Sequence, residues 1–240
     1  MNCCPYFMHS LRIFGGLFLL AVGGLSWWAF SAKAEESSKL PVVYQENFEK
    51  EADHWKPTDA NAWKVEAVGD GHVFSQFQQS KYKPPHRSPL NFALLKDVTV
   101  GDFVLETKLK SSARDYDHRS LCLFFGYQDP AHFYYVHLGK KADDHANQIF
   151  IVNDAPRTKI SLKTTAGTPW DDEWHRVKIV RNVSDGLIQI FFDDMEKPIM
   201  EAKDKTFTWG QIGIGSFDDV GQWDDLVLSG TKVEAVKKPE

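Results

Sequence analysis

Leu121-Cys-Leu-Phe-Phe-Gly-Tyr127, the turn Gln128–Ala131 and His132-Phe-Tyr-Tyr-Val-His-Leu-Gly139 decide the fold, because together they predict one long aromatic β-hairpin. Folding the chain back at Asp129-Pro130 sets an antiparallel register that pairs position 118 with 141 and position 115 with 144. Residues from both ends of this stretch therefore converge at the open end of the hairpin.

Nearly all of the remaining chain has the same β character. The predicted strands are short, rich in β-branched and aromatic residues, and bounded by Gly, Pro, Asp or Asn. No segment has sustained helical periodicity, so the predicted fold class is all-β, a two-sheet antiparallel β-sandwich. The predicted strands are Val42–Phe48, Trp63–Ala67, His72–Gln76, Asn91–Leu95, Phe103–Lys110, Arg119–Tyr127, His132–Gly139, Asn147–Val152, Lys159–Lys163, His175–Arg181, Leu187–Asp193, Gln211–Phe217 and Asp224–Leu228.

The ends of the chain are predicted to lie outside this sandwich. Residues 1–34 have the form of a signal peptide, with Arg12 before an apolar run and the small-x-small site Ala32-Lys-Ala34. Cleavage there predicts a secreted, periplasmic or cell-envelope protein. The alternative is an uncleaved membrane anchor, because the run is about long enough to span a bilayer. We assign residues 35–41 to a short linker, 42–230 to a single domain and 231–240 to a flexible tail.

Composition limits the partners and the source of stability. Removing residues 1–34 leaves 26 Lys and Arg against 33 Asp and Glu, a net charge of −7. A modestly acidic, mixed surface argues against nucleic acid as a partner, and a membrane is expected only if the N-terminal segment stays uncleaved. Cys122 is the only cysteine left, so an intrachain disulfide is excluded and the core must stabilise the fold.

The two faces of the hairpin differ in character. Leu121, Leu123, Phe125, Tyr134, Val136 and Leu138 form an apolar face, whereas Phe124, Tyr135 and His137 alternate with them on the other face. Pairing the next strand brings Gln148 and Phe150 beside these residues. An exposed surface of aromatic and amide groups suits a sugar ring, which has an apolar face and hydroxyl edges. The predicted ligand-binding residues are Arg119, Tyr135, His137, Asn147, Gln148, Phe150, His86, Arg87 and Arg157.

A set of motifs in register points to a family. These are Asp102-Phe-Val-Leu-Glu106, Leu123–Pro130 with Phe133-Tyr-Tyr135, Trp174–Ile179, Ile188–Asp193, Gly210–Gly215 and Trp223–Leu228. In order and spacing the chain resembles the concanavalin A-like lectin/glucanase superfamily, in its laminin-G-like and 3-keto-disaccharide-hydrolase-like branches. The resemblance implies a two-sheet jelly roll. Its members include carbohydrate-binding modules, lectins, glycosidases, lyases and adhesion domains, so the fold does not fix the function.

The glucanases of that superfamily carry a strand with E-x-D-x-E or E-x-D-x-x-E, and this chain has no such spacing. A retaining glycosidase needs two carboxyl groups about 5 Å apart. Non-catalytic carbohydrate binding is therefore the leading hypothesis. The alternatives are a glycoside hydrolase or polysaccharide lyase, with His137, Tyr135 and His118 as acid-base candidates, and a structural adhesion domain.

Two sets of acidic residues are candidate metal ligands, although no cofactor is required. The first set lies at the open end of the hairpin, where carboxylate and imidazole groups together suit zinc or another transition metal. Two solvated loops with paired charges are the competing interpretation. The resemblance also implies a structural calcium between the first and last strands, near Asn47 and Asp225. The first set consists of Asp115, Asp117, His118, Asp143, Asp144 and His145.

Overall fold

The computed structural model describes residues 40–234, which form an all-β sandwich. The predicted signal segment 1–34, most of the predicted linker and residues 235–240 lie outside these described residues. Within residues 40–234 no helix is both long and apolar enough to cross a membrane. The strands are β1 Val42–Glu46, β2 Trp55–Pro57, β3 Trp63–Val68, β4 Gly71–Gln76, β5 Asn91–Leu95, β6 Val100–Ser111, β7 Ser120–Asp129, β8 His132–Gly139, β9 Gln148–Asn153, β10 Thr158–Lys159, β11 Ser161–Thr164, β12 His175–Arg181, β13 Leu187–Phe192, β14 Met200–Lys203, β15 Gln211–Ser216 and β16 Gly221–Lys232.

These strands form two antiparallel sheets. The first sheet has nine strands in the order β11-β14-β13-β12-β6-β16-β4-β3, with β1 also paired to β16. The second has seven strands in the order β10-β9-β8-β7-β15-β5-β2. One of the crossings between the sheets is at Ile160, which separates β10 from β11. This order places the predicted hairpin, β7 and β8, in the middle of the second sheet.

The hairpin has the predicted register. Ser120 pairs with Gly139 and Cys122 with His137, and these pairs continue the alignment of positions 118 and 141. A bulge between Phe125 and Asp129 absorbs extra residues of β7, and Gly126 adopts a φ of +58° there. A glycine suits this position because positive φ strains other residues.

The main core fills the space between the two sheets. The second sheet contributes the predicted apolar face of the hairpin, and Ile149 of β9 continues it. The first sheet contributes alternate residues of its long strands, such as Leu105, Ile179 and Leu228. Period-two alternation assigned the side chains of the hairpin to the correct faces.

The second sheet is also apolar on its other face, which forms a separate buried cluster. Strand β15 contributes Gly213 and Gly215 to this face, and neither residue has a side chain. The rings of Phe92 and Phe124, on either side of β15, approach to 4.6 Å between centroids. A Cβ atom at position 215 would lie 2.2 Å from the carbonyl oxygen of Asn91. The glycines therefore allow the aromatic cluster to continue across the strand.

Several predicted boundaries are wrong at the margins of the sandwich. Two short strands, β2 and β14, were not predicted, and the predicted strand Lys159–Lys163 is divided between the two sheets. Strand β16 continues to Lys232, and the backbone of Val233 donates to the carbonyl of Thr99. Strand pairing thus continues to Lys232, which pairs with Val100.

The packing around β15 predicts a large effect of adding one methyl group. Gly215→Ala should lower the free energy of unfolding by about 1–3 kcal/mol, because the new Cβ overlaps the backbone of β5. Gly101→Ala is the matched control, since a Cβ at this buried strand position has no neighbour closer than 3.4 Å. Urea unfolding of both variants measures the difference. Equal stability of the two variants would contradict this account.

Candidate functional site

The first set of predicted metal ligands comes from two segments, residues 115–118 and 143–145, which meet at the open end of the hairpin. Three of their four acids are paired with lysines. Asp143 instead accepts hydrogen bonds from the backbone N–H groups of His145 and Ala146, at 2.6 and 2.8 Å. This leaves few carboxylate lone pairs for a metal ion. The ion pairs are Lys140–Asp115, Lys141–Asp117 at 2.7 Å and Lys159–Asp144 at 2.6 Å.

Neither predicted metal site is formed by the described residues. Residues 40–234 contain no group of three or more His, Cys, Asp or Glu side chains able to hold a metal ion. Asn47 and Asp225 line one open cleft of about 440 Å³. However, the ammonium of Lys108 lies 2.6 Å from the Asp225 carboxylate. The Glu46 carboxylate accepts from two backbone N–H groups, those of Asn47 and Phe48. This donor set does not fit calcium, which needs six to eight oxygen ligands.

The predicted sugar-binding face is not exposed, and this prediction is wrong. Tyr135 is 0% exposed, Phe150 1% and His137 6%. The alternation placed these residues on one face correctly, but that face is covered. We call it the covered face and define it by Cys122, Phe124, Phe133, Tyr135, His137, Gln148 and Phe150.

Three other predicted ligand residues hold the local structure instead of a ligand. Arg119 is 1% exposed and donates to Ser111 and to the carboxylate of Asp172 at 2.9 Å. Asn147, at a φ of +54°, is buried and bonds Thr164, Thr165 and Thr168. The Gln148 amide donates to the backbone carbonyl of Asp143 at 3.0 Å. Their polar groups are satisfied within the protein, as buried polar groups require.

His137 is held by a buried polar network. Its Nδ1 lies 2.9 Å from the carbonyl oxygen of His145, so Nδ1 carries the proton and donates it. Nε2 therefore accepts from the Ser120 hydroxyl at 2.9 Å. The backbone N–H of Ser120 donates to Asp219 at 2.7 Å, and the Tyr116 hydroxyl donates to the same carboxylate. Burial raises the pKa of Asp219 despite these donors.

The network fixes the protonation state of the imidazole. Burial, followed by the positive charge of Arg157, lowers the pKa of His137 to about 3. The ring is therefore neutral at physiological pH, which agrees with one donating and one accepting nitrogen. Phe217 stacks on it, with the centroids 6.0 Å apart and the planes 9° from parallel.

The covered face is sealed by the loop between β4 and β5 and by two side chains, Arg157 and Phe217. We call residues 77–90 with these two side chains the cap. The loop packs Tyr82 edge-on against Phe92, 5.7 Å between centroids. The backbone N–H of Arg157 donates to the carbonyl of Arg87 at 3.0 Å. The cap thus replaces solvent over the aromatic rings of the sheet.

Arg157 is the central side chain of the cap. Its guanidinium carbon lies 4.7 Å from the ring centroid of Phe150 and 4.4 Å from that of Phe217. Its Nη1 donates to the Tyr135 hydroxyl at 2.8 Å. Burial raises the pKa of Tyr135, so this phenol stays protonated and accepts the bond. Cation–π contacts of this kind strengthen when they are desolvated.

The structure thus separates the nine predicted ligand residues into two groups. Six are buried in or beside the covered face, whereas His86 and Arg157 are half-buried and Arg87 is exposed, all in the cap. Sequence analysis did not identify Phe217 or Ser120 as part of a site. The available signal was that Phe217 ends the predicted strand Gln211–Phe217 and that two acids, Asp218 and Asp219, follow it.

Comparison with protein families finds no match, and comparison with curated protein sequences finds none either. Solved structures do match. A carbohydrate-binding module, CBM66 from Bacillus subtilis, aligns with a TM-score of 0.53 at 15% identity, over 74% of this chain and 96% of that one. The seed lectin of Lotus tetragonolobus aligns with a TM-score of 0.52 at 11% identity, over 82% and 99%.

A glycoside hydrolase is also similar in structure, though only in part. The GH43 protein BlXynB from Bacillus licheniformis aligns with a TM-score of 0.51 at 10% identity, over 79% of this chain but only 39% of that enzyme. At these identities the matches establish the fold alone. The chain is a two-sheet jelly-roll sandwich, the fold that its motifs predicted.

The buried neutral state of His137 predicts a pH-dependent stability. The unfolded chain binds a proton at this residue below about pH 6.5, whereas the folded protein does so only near about 3. The free energy of unfolding should therefore fall as the pH drops from about 7 to about 5, by up to about 1.4 kcal/mol per unit from this group. Urea unfolding at several pH values measures the slope.

The His137→Gln variant should have a smaller slope than the wild type, because it lacks the titrating group. His118→Gln is the matched control, since His118 is exposed and lies outside the buried network of His137. A slope that is the same in all three proteins would show that His137 titrates normally in the folded state.

Proposed function

We propose that this protein is an exported, non-catalytic carbohydrate-binding domain whose glycan lies on the cap. The single observation behind this proposal is the composition of the cap surface: His86, Arg87, Arg157 and Phe217. It combines a partly exposed aromatic ring with cationic donors, and aromatic stacking with charged hydrogen bonds is a common way to hold a sugar. The fold supports the proposal, because the structurally similar CBM66 and Lotus proteins are by name a carbohydrate-binding module and a lectin.

The cap is well suited to bind without large rearrangement. Pro84 and Pro85 restrict the backbone of the loop at residues 77–90. Backbone hydrogen bonds join both ends of this loop to neighbouring parts of the chain. In particular, the backbone N–H of Leu90 donates to the carbonyl of Phe217 at 3.1 Å. A surface that is ordered before binding loses less conformational entropy when the ligand arrives.

The burial of the catalytic candidates favours binding over hydrolysis or elimination. His137 and Tyr135 are sealed under the cap, and both nitrogens of His137 are already hydrogen-bonded. His118 is exposed, but no described residue forms a hydrogen bond with its ring. A general acid or base has to reach the substrate and be oriented toward it.

A glycan array followed by calorimetry tests the proposal. The protein should bind at least one glycan, and a His86→Ala/Arg87→Ala double variant should weaken that binding about tenfold or more. The matched control is Arg176→Ala/Lys163→Ala, which removes charges from the exposed surface of the other sheet. Binding to no glycan, or equal weakening by both double variants, would refute a glycan site on the cap.

Export is the second part of the proposal. The segment 1–34 directs the chain across a membrane and is removed after Ala34, which leaves Glu35 as the first residue. Mass spectrometry of the protein from the cell envelope and the medium of its host should find this N terminus. A full-length chain retained in the membrane fraction would support the anchor instead.

A further inference from the structure

The guanidinium of Arg157 donates a hydrogen bond within the protein through one nitrogen, and its other two nitrogens face solvent. Nη1 donates to Tyr135, while Nε and Nη2 donate to no acceptor among the described residues. Neither atom is among the buried polar atoms of residues 40–234 that lack a partner, so both reach solvent. Nε and Nη2 form one of the two-donor edges of an arginine, and such an edge matches the two oxygens of a carboxylate.

The open edge also lacks a negative partner within the protein. No ion pair among residues 40–234 involves Arg157, Arg87 or Lys83. By contrast, the acids Asp115, Asp117 and Asp144 at the nearby hairpin end are each paired with lysine. In a chain with a net negative charge, a group of unpaired cations in the cap is a local exception.

The guanidinium is held in place before any ligand binds. The rings of Phe150 and Phe217 contact the guanidinium. Its hydrogen bond to the Tyr135 hydroxyl restricts the rotation of the side chain. The backbone of Arg157 is joined to that of Arg87. The charge of Arg87 is close enough to lower the pKa of Tyr135, against the larger effect of burial. Two positive charges therefore act at one place on the cap.

From these contacts we infer that the glycan carries carboxylate groups, as a uronic-acid polysaccharide does, and that Arg157 binds one of them through Nε and Nη2. This inference rests on the proposed carbohydrate-binding function and adds the chemical class of the sugar. Arg87 supplies a second charge that attracts and holds the acidic chain. The planar pairing of guanidinium and carboxylate favours a uronic acid over a neutral sugar.

Calorimetry with matched polysaccharides tests the inference. The probes are polygalacturonate, alginate and glucuronoxylan, each beside its carboxyl-reduced form, with dextran sulfate and dextran as a sulfated pair. At least one acidic polymer should bind about tenfold or more tightly than its reduced form. Salt at about 1 M should weaken this binding, because it screens exposed charges.

Variants locate the carboxylate contact. Arg157→Gln and Arg87→Gln should each reduce the preference for the acidic form about tenfold. Arg114→Gln is the matched control, because Arg114 is also exposed and has no ion pair among residues 40–234, but it lies outside the cap and contacts Tyr116. The Arg87→Gln variant should fold like the wild type, because the Arg87 side chain is exposed. Loss of the preference in this variant is therefore not explained by misfolding. Thermal unfolding of each variant confirms that it folds.

The outcomes separate the inference from the proposed function. Binding of reduced and acidic polymers with equal affinity would leave glycan binding intact and overturn the inference. The inference would also fall if the Arg157 and Arg87 variants kept the preference, or if dextran sulfate bound as well as the uronic acids. Binding to none of these polymers, nor to any other glycan, would overturn both.

Discussion

The structure depends on one constraint, which is that the second sheet is apolar on both faces and both must be kept from water. The first sheet covers one face across the main core. The other face carries Phe124, Phe133, Tyr135 and Phe150, and each of these is essentially inaccessible to solvent. Exposing rings of this size would cost about 1.5–3 kcal/mol for each side chain. The loop at residues 77–90 therefore contributes to the stability of the fold, because its Tyr82 packs against this face.

Arg157 makes this cover compatible with a surface function. Its guanidinium lies over Phe150 and Phe217 and donates to the hydroxyl oxygen of Tyr135, which would otherwise be a buried acceptor without a partner. The same group presents its remaining N–H donors to solvent. One side chain thus completes the apolar cluster below it and defines the chemistry of the surface above it. At the neighbouring end of the face, the Ser120–His137 network satisfies the remaining polar groups.

The sequence predicted the architecture well because strand alternation and turn residues are local signals. β5, β8 and β12 match their predicted bounds, and the register of the central hairpin is correct. The short strands β2 and β14 were missed, since three or four residues are too few for an alternating pattern. Alternation also assigned Tyr135 to the right face, but it does not say whether a face is covered. A loop without periodicity, residues 77–90, decides that question.

The composition of the covered face did contain the missing information. Cys122, Phe124, Phe133 and Phe150 are nearly as apolar as the inner face, and a solvated face would carry more charge. A crystal structure of the protein with a bound uronic-acid oligosaccharide would test the account most directly. The account predicts the cap in place, Tyr135 still buried, and a sugar carboxylate against Nε and Nη2 of Arg157. A displaced cap, with the sugar stacked on Tyr135 and His137, would contradict it.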